Sequence, residues 1–134
     1  MTVLKSVLCA AVFLLPASSF AQALNAQEKD QVHEMCLGFS MISKGIMQAR
    51  QEGESKEDVQ AQLTQVINKN DGASVFLKES TSVLLNEAYT VPVASDPKKA
   101  QDVALAFGVA TYTQCMERIP ALIEKHRAQK TAQE

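Results

Sequence analysis

Residues 32–49 read VHEMCLGFSMISKGIMQA, and this stretch decides the fold class. Its apolar residues recur at steps of three and four: Val32, Met35, Cys36, Phe39, Ile42, Ile46 and Ala49. That spacing places them on one face of an α-helix, because a helical turn takes 3.6 residues. Asn25 followed by Glu28 is typical of a helix N-cap with its returning acid. We therefore predict a first helix over residues 26–52.

The chain after this helix keeps the helical rhythm. Ser55 starts a second helix, which residues 68–72 (NKNDG) stop because Asn, Asp and Gly tolerate turn geometry. Ser74 can cap a third helix, although the apolar triplets at 75–77 and 83–85 leave a strand as the competing assignment. Residues 90–96 (TVPVASD) are the only linker-like stretch.

Asp96 and Pro97 begin a fourth helix, with the acid as N-cap and the proline at the first helical position. Pro120 ends or kinks this helix, and a short amphipathic tail with a frayed end over 125–134 follows. We predict an all-α fold, a small bundle of four main helices with a short C-terminal helical tail.

Composition excludes several classes of protein. The 134 residues are 46% hydrophobic and 21% charged, with a net charge of -2, which is close to the globular average. A disordered or a strongly nucleic-acid-binding chain would differ from these values. All 15 acidic and 12 of the 13 basic residues follow residue 21, so that part of the chain carries a net charge of -3.

Residues 1–21 have the three parts of a secretory signal. A basic start precedes nine apolar residues (VLCAAVFLL, 7–15), and small side chains lead to Ala21. Nine residues are too few to cross a bilayer, so we expect no transmembrane anchor. Cleavage after Ala21, or alternatively after Ala23, leaves one helical domain over 22–134. We expect a soluble periplasmic protein, with extracellular release as an alternative.

Two cysteines remain once Cys9 leaves with the signal. An even count in an exported chain indicates a disulfide, here between Cys36 and Cys115, with free buried thiols as the alternative. The bond would join the first and fourth helices if these pack antiparallel.

The sequence favours no catalytic or metal site. His33, the methionines and the two cysteines could hold Cu(I) as soft ligands, but oxidised cysteines offer no thiolate. Clustered acids at 52–58 suit a helix start better than acid–base catalysis. We predict no enzyme, no cofactor, no metal site and no nucleic-acid partner.

Binding through the surface is what remains. Tyr89, before the linker, and Tyr112, one turn before Cys115, are the candidate binding residues. Gly38 and Gly45 lie seven residues apart on the first helix, which indicates either a close approach by a neighbouring helix or mere neutrality.

The segments MCLGF at 35–39 and YTQCM at 112–116 carry a resemblance. They resemble small exported proteobacterial helical proteins with two cysteines, whose function is unknown. More loosely, the chain is similar to the periplasmic immunity proteins that protect bacteria from type VI secretion amidase effectors. The second resemblance implies an inhibitor that binds an effector protein, and no site residue is carried over from it.

We therefore expect a non-enzymatic periplasmic protein that acts by binding an unknown protein of the cell envelope, with an immunity-type inhibitor as the most concrete version. An acid-stress chaperone and a periplasmic metal carrier are the alternatives. We expect a monomer or a small homo-oligomer.

Overall fold

The computed structural model describes residues 23–68 and 75–133 and contains four α-helices there. They are α1 (Ala26–Gln51), α2 (Lys56–Asn68), α3 (Val75–Ala88) and α4 (Pro97–Thr131). The described residues include no strand, so the all-α prediction is confirmed and the strand assignment for the third element is wrong.

Some sequence predictions concern residues outside the described ranges. These are the signal segment at 1–21, most of the helix stop at 68–72, and the cap at Ser74.

α1 begins at the predicted capping box. The Glu28 backbone N–H donates to the Asn25 side chain over 2.9 Å, and the Asn25 backbone N–H donates to the Glu28 carboxylate over 2.9 Å. Each bond satisfies a backbone donor that a helix start leaves unpaired. The helix ends beside Gly53, whose φ of 87° is a left-handed conformation that suits glycine.

α4 is one continuous helix through Pro120. The sequence predicted an end or kink at that proline and fraying from residue 125; the structure keeps the chain helical as far as Thr131, so a helix end at Pro120 is wrong. Two contacts explain the difference. Ile123 packs beside Leu24 and Val32 of the N-terminal region, and Arg127 pairs with Glu28. These contacts offset the backbone hydrogen bond that a proline removes.

α1 lies at the centre of the fold. α4 runs antiparallel along one side of it, α3 packs on another side, and α2 packs mainly against α3. Because α4 makes nearly all its contacts with α1, much of its surface faces away from the other helices.

The buried residues form two clusters. The larger cluster draws on all four helices and consists of Phe39, Ile46, Met47, Val59, Leu84, Leu85, Ala88 and Ala104. The smaller cluster consists of Leu24, Val32 and Cys36, covered by half-buried side chains of α4. Among the described residues, three polar side chains are buried (Ser43, Gln51 and Thr81), and all three make hydrogen bonds.

The close approach between helices occurs at a glycine that the sequence did not single out. A Cβ at Gly108 would lie 3.0 Å from the Ser40 carbonyl oxygen and 3.1 Å from the Lys44 Cβ. The Ser40 hydroxyl donates to the Gly108 carbonyl over 2.9 Å. At Gly38 and Gly45 a Cβ would meet nothing within 4 Å, so the close approach predicted there is wrong within this chain.

Candidate functional site: a protein-binding surface

The disulfide joins α1 to α4, as predicted. The Cys36 and Cys115 sulfurs are bonded, their Cα atoms lie 5.6 Å apart, and Cys36 is fully buried. Tyr112 packs beside the bond, and its hydroxyl lies 2.8 Å from the His33 Nδ1 atom. The two rings meet edge to face with their centroids 5.8 Å apart. Tyr112 is thus half-buried and paired, and it braces the disulfide.

Tyr89 lies at the other end of α1. Its hydroxyl donates to the Glu54 carbonyl over 2.8 Å, and the Arg50 guanidinium lies 5.1 Å from the ring centroid. Burial raises the pKa of Tyr89 above its ordinary value, Arg50 opposes this, and the carboxylates of Glu54, Glu57 and Asp58 add to the rise. The ring also packs on the larger cluster. Tyr89 therefore ties the end of α3 to the turn between α1 and α2, and the structure does not bring it near Tyr112.

The stretch predicted as a linker is fastened to the end of α1. The buried Gln51 side chain donates to the Pro92 carbonyl over 3.1 Å and accepts from the Ala94 backbone N–H over 2.7 Å. Arg50 donates to the Val91 carbonyl over 3.3 Å. We call residues 91–96 the strap, because these bonds hold the segment across the end of α1.

An open groove lies between the strap, the C-terminal half of α1 and the start of α4. Its volume is about 750 Å³, within the range of ligand-binding clefts. The lining mixes an ammonium group, amides, carboxylates and apolar side chains, including Lys44, Gln48, Glu52, Asp102 and Leu105. No carboxylate in the groove is deeply buried, so the groove is a solvent-exposed surface cleft.

Five large apolar side chains of the described residues are exposed on the two antiparallel helices, and four of them are spaced as two pairs, one pair on each helix. Leu37 (43% exposed) and Met41 (75%) lie one turn apart on α1, and Leu105 (54%) and Val109 (55%) lie one turn apart on α4. Their helical positions place all four on the side of the α1–α4 pair that faces away from α3. We call this set the α1–α4 apolar face. An exposed apolar patch on a folded domain often marks a protein-binding site.

Sequence reasoning missed the apolar face, although a signal for it exists. Leu37 and Met41 lie outside the stripe of apolar residues that predicted α1, so they interrupt what should be a polar side of the helix. The sequence predicted Tyr89 and Tyr112 as the binding residues, but the hydroxyl groups of both make hydrogen bonds within the protein.

The N-terminal end of α1 contains an ion pair over a small cavity. Arg127 pairs with Glu28 at a cavity of about 290 Å³ that Leu24, Val32 and Ile123 also line. The hydrogen bond from Asn25 and the pairing with Arg127 hold the pKa of Glu28 below its ordinary value. An ionised carboxylate therefore contributes to the contact at this end of the α1–α4 pair.

Within residues 23–68 and 75–133, no group of three or more His, Cys, Asp or Glu side chains is placed to hold a metal ion. Of the methionines considered as soft ligands, Met35 packs on the larger cluster, Met47 is fully buried and Met116 packs beside the disulfide. None of the helices in the described part of the chain is long and apolar enough to cross a membrane.

The chain matches no protein-family model, no curated protein and no solved structure. The geometry of the described residues is therefore the basis for any statement about function.

Proposed function

We propose that this chain is a non-enzymatic, soluble periplasmic protein that acts by binding another protein of the cell envelope. The α1–α4 apolar face is the observation that supports the proposal. Two pairs of large apolar side chains, one pair on each of two neighbouring helices, are costly to leave in water, at roughly 25 cal/mol per Å². A partner that covers them gains that free energy on binding.

An immunity-type inhibitor is the most concrete form of this proposal. Such a protein binds a toxic effector and holds it inactive. The disulfide and the strap supply a rigid frame for that role, because both ends of α1 are fixed to neighbouring segments. A pre-organised surface loses little conformational freedom on binding.

The experiment combines capture with genetics. The oxidised protein is used to capture partners from the native cell envelope, and the double variant L105S/V109S is compared with L122S. Leu122 is 59% exposed on α4 but is not part of the apolar face, so its substitution is the matched control. We expect the double variant to lose the partner and the control to retain it.

Deletion of the gene should then make cells sensitive to the captured protein, and wild-type protein should rescue them where L105S/V109S does not. Capture that is the same for all variants, together with no deletion phenotype, would rule out the proposal.

The Glu28–Arg127 pair favours a second candidate, an acid-stress chaperone. Because the pKa of Glu28 is lowered in the folded protein, its contribution to stability is present above its ordinary pKa of 4.5. That contribution is lost as the pH falls through the lowered pKa. Protonation would remove the ion pair between Glu28 and Arg127 at the rim of the apolar pocket that both residues line.

An acid-stress chaperone should bind an apolar dye and suppress aggregation of a client protein when the pH falls to about 3. A chain that stays folded at that pH and leaves aggregation unchanged excludes this candidate. A single acid titration, followed by dye binding and client aggregation, therefore tests the chaperone candidate separately from the inhibitor candidate.

A further inference from the structure

The outer side of α1 has a self-complementary pattern. Leu37 and Met41 lie at its middle, Glu34 precedes Leu37 by three residues, and Lys44 follows Met41 by three residues. All four side chains are exposed. Neither Glu34 nor Lys44 forms an ion pair with another residue of the described ranges.

Positions 34, 37, 41 and 44 are symmetric about position 39. In an antiparallel pair of α1 helices that cross at this level, Leu37 faces Met41 of the second copy. In the same arrangement, Glu34 faces Lys44 of the second copy. One two-fold axis thus creates two apolar contacts and two ion pairs, as an isologous interface requires.

The two exposed glycines of α1 fit the same arrangement. Gly38 and Gly45 each cost a helix roughly 1 kcal/mol relative to alanine, and a Cβ at either position would meet nothing within this chain. Gly38 lies between Leu37 and Met41, on the flank where a second helix would cross. A missing Cβ there allows two helix backbones to approach closely.

We infer that the α1 part of the apolar face pairs with a second copy of this chain, through antiparallel α1 helices crossing at the level of residue 39. The inference rests on the proposed function, since it names one occupant of the proposed protein-binding face. Leu105 and Val109 are not used in this pairing and stay available to the envelope partner. Two apolar contacts and two ion pairs make a small interface, so we expect a weak dimer that dissociates on dilution.

Cysteine cross-linking tests the geometry. The variants L37C and M41C are purified separately, the native Cys36–Cys115 bond is verified by mass spectrometry, and the two proteins are mixed and mildly oxidised. We expect the mixture to form several times more cross-linked dimer than either variant alone, because residue 37 faces residue 41 and not itself. L122C is the control. If the mixture gives no more cross-linked dimer than L37C alone, M41C alone or L122C, the proposed pairing is overturned.

Charge exchange tests the ion pairs. By analytical ultracentrifugation, E34K or K44E alone should raise the dimer dissociation constant about tenfold, because each substitution turns two attractive pairs into repulsive ones. The double variant E34K/K44E should restore it to within about twofold. A wild-type chain that stays monomeric to millimolar concentration, or a double variant no better than the single ones, would contradict the proposal.

The two proposals fail separately. Loss of dimer in E34K with capture of the envelope partner unchanged supports the pairing and leaves the proposed function intact. Loss of capture in L105S/V109S with no dimer at any concentration supports the proposed function and overturns the pairing.

Discussion

The two ends of α1 are held to the rest of the protein by different means. Near its N-terminal end, a small cluster of three buried residues is reinforced by the disulfide and by the Glu28–Arg127 ion pair. At the C-terminal end, the larger cluster is completed by neutral hydrogen bonds from Gln51 to the strap. The end with few buried residues is therefore held by a covalent bond and an ion pair. The end with many buried residues is held by apolar packing and by hydrogen bonds of the Gln51 amide. The first end should therefore respond to reduction and to acid, whereas the Gln51 hydrogen bonds of the second end involve no disulfide and no titratable group.

The largest effect should come from breaking the disulfide. Replacing both cysteines (C36S/C115S) removes a cross-link between residues 79 apart in sequence and should lower the free energy of unfolding by about 4 kcal/mol. Urea denaturation of the variant and of the reduced wild type should agree. Hydrogen exchange should accelerate more in the C-terminal half of α4 than in α3. Unchanged stability on reduction would mean that the small cluster holds the two helices without the bond.

Removing the Gln51 amide at the strap should lower the free energy of unfolding by less than breaking the disulfide does. Q51A leaves the Pro92 carbonyl and the Ala94 N–H without their partner, which should cost about 2–3 kcal/mol. Q48A is the matched control, because Gln48 is an exposed amide whose bond goes to the neighbouring Glu52. We expect the control to change stability by less than about 0.5 kcal/mol in the same denaturation experiment. Equal effects of the two substitutions would show that the strap adds nothing.

Between the two ends of α1, the close contact with α4 at Gly108 can be tested with glycine substitutions. G108A places a Cβ against the Ser40 carbonyl oxygen and should destabilise the protein by about 1–2 kcal/mol. G45A meets open space in the middle of a helix and should stabilise the monomer by about 0.5–1 kcal/mol. Thermal unfolding at low protein concentration compares the two. The same sign for both substitutions would contradict the close approach at Gly108.

The smallest effect on stability should come from removing the Glu28 carboxylate, and it should appear only at acidic pH. Because the pKa of Glu28 is lowered in the folded state, the melting temperature of the wild type should fall as the pH decreases below 4.5, and part of that fall should be absent in E28Q. E117Q is the control, since Glu117 is an exposed acid on the same helix pair. If E28Q and E117Q follow the wild-type pH profile equally, the ion pair does not distinguish the N-terminal end.

The long helices and their cross-link follow from the sequence, because the information that specifies them is local. The stripe beginning at Val32 and the caps at Asn25 and Asp96 depend on residues within a few positions of one another. The pairing of Cys36 with Cys115 follows from counting, once the helices are taken as antiparallel.

The features that escaped prediction depend on contacts between distant segments. The carbonyl that Gln51 binds lies 41 residues along the chain, and the importance of Gly108 depends on which helix lies beside it. The continuation of α4 past Pro120 depends in the same way on Glu28, 99 residues before Arg127. Periodicity within a helix contains no information about such partners. The apolar face is the exception, because Leu37 and Met41 already break the polar side of α1 in the sequence.

The bond between Cys36 and Cys115 also closes the chain into a ring. The ring contains all of α2 and α3, together with most of α1 and half of α4. A peptidase that cuts once anywhere within this ring leaves a single covalent molecule, whereas a cut outside it releases a fragment. A first cleavage inside the ring therefore does not separate the two helices that present the apolar face, which would protect the proposed function among the proteases of the cell envelope.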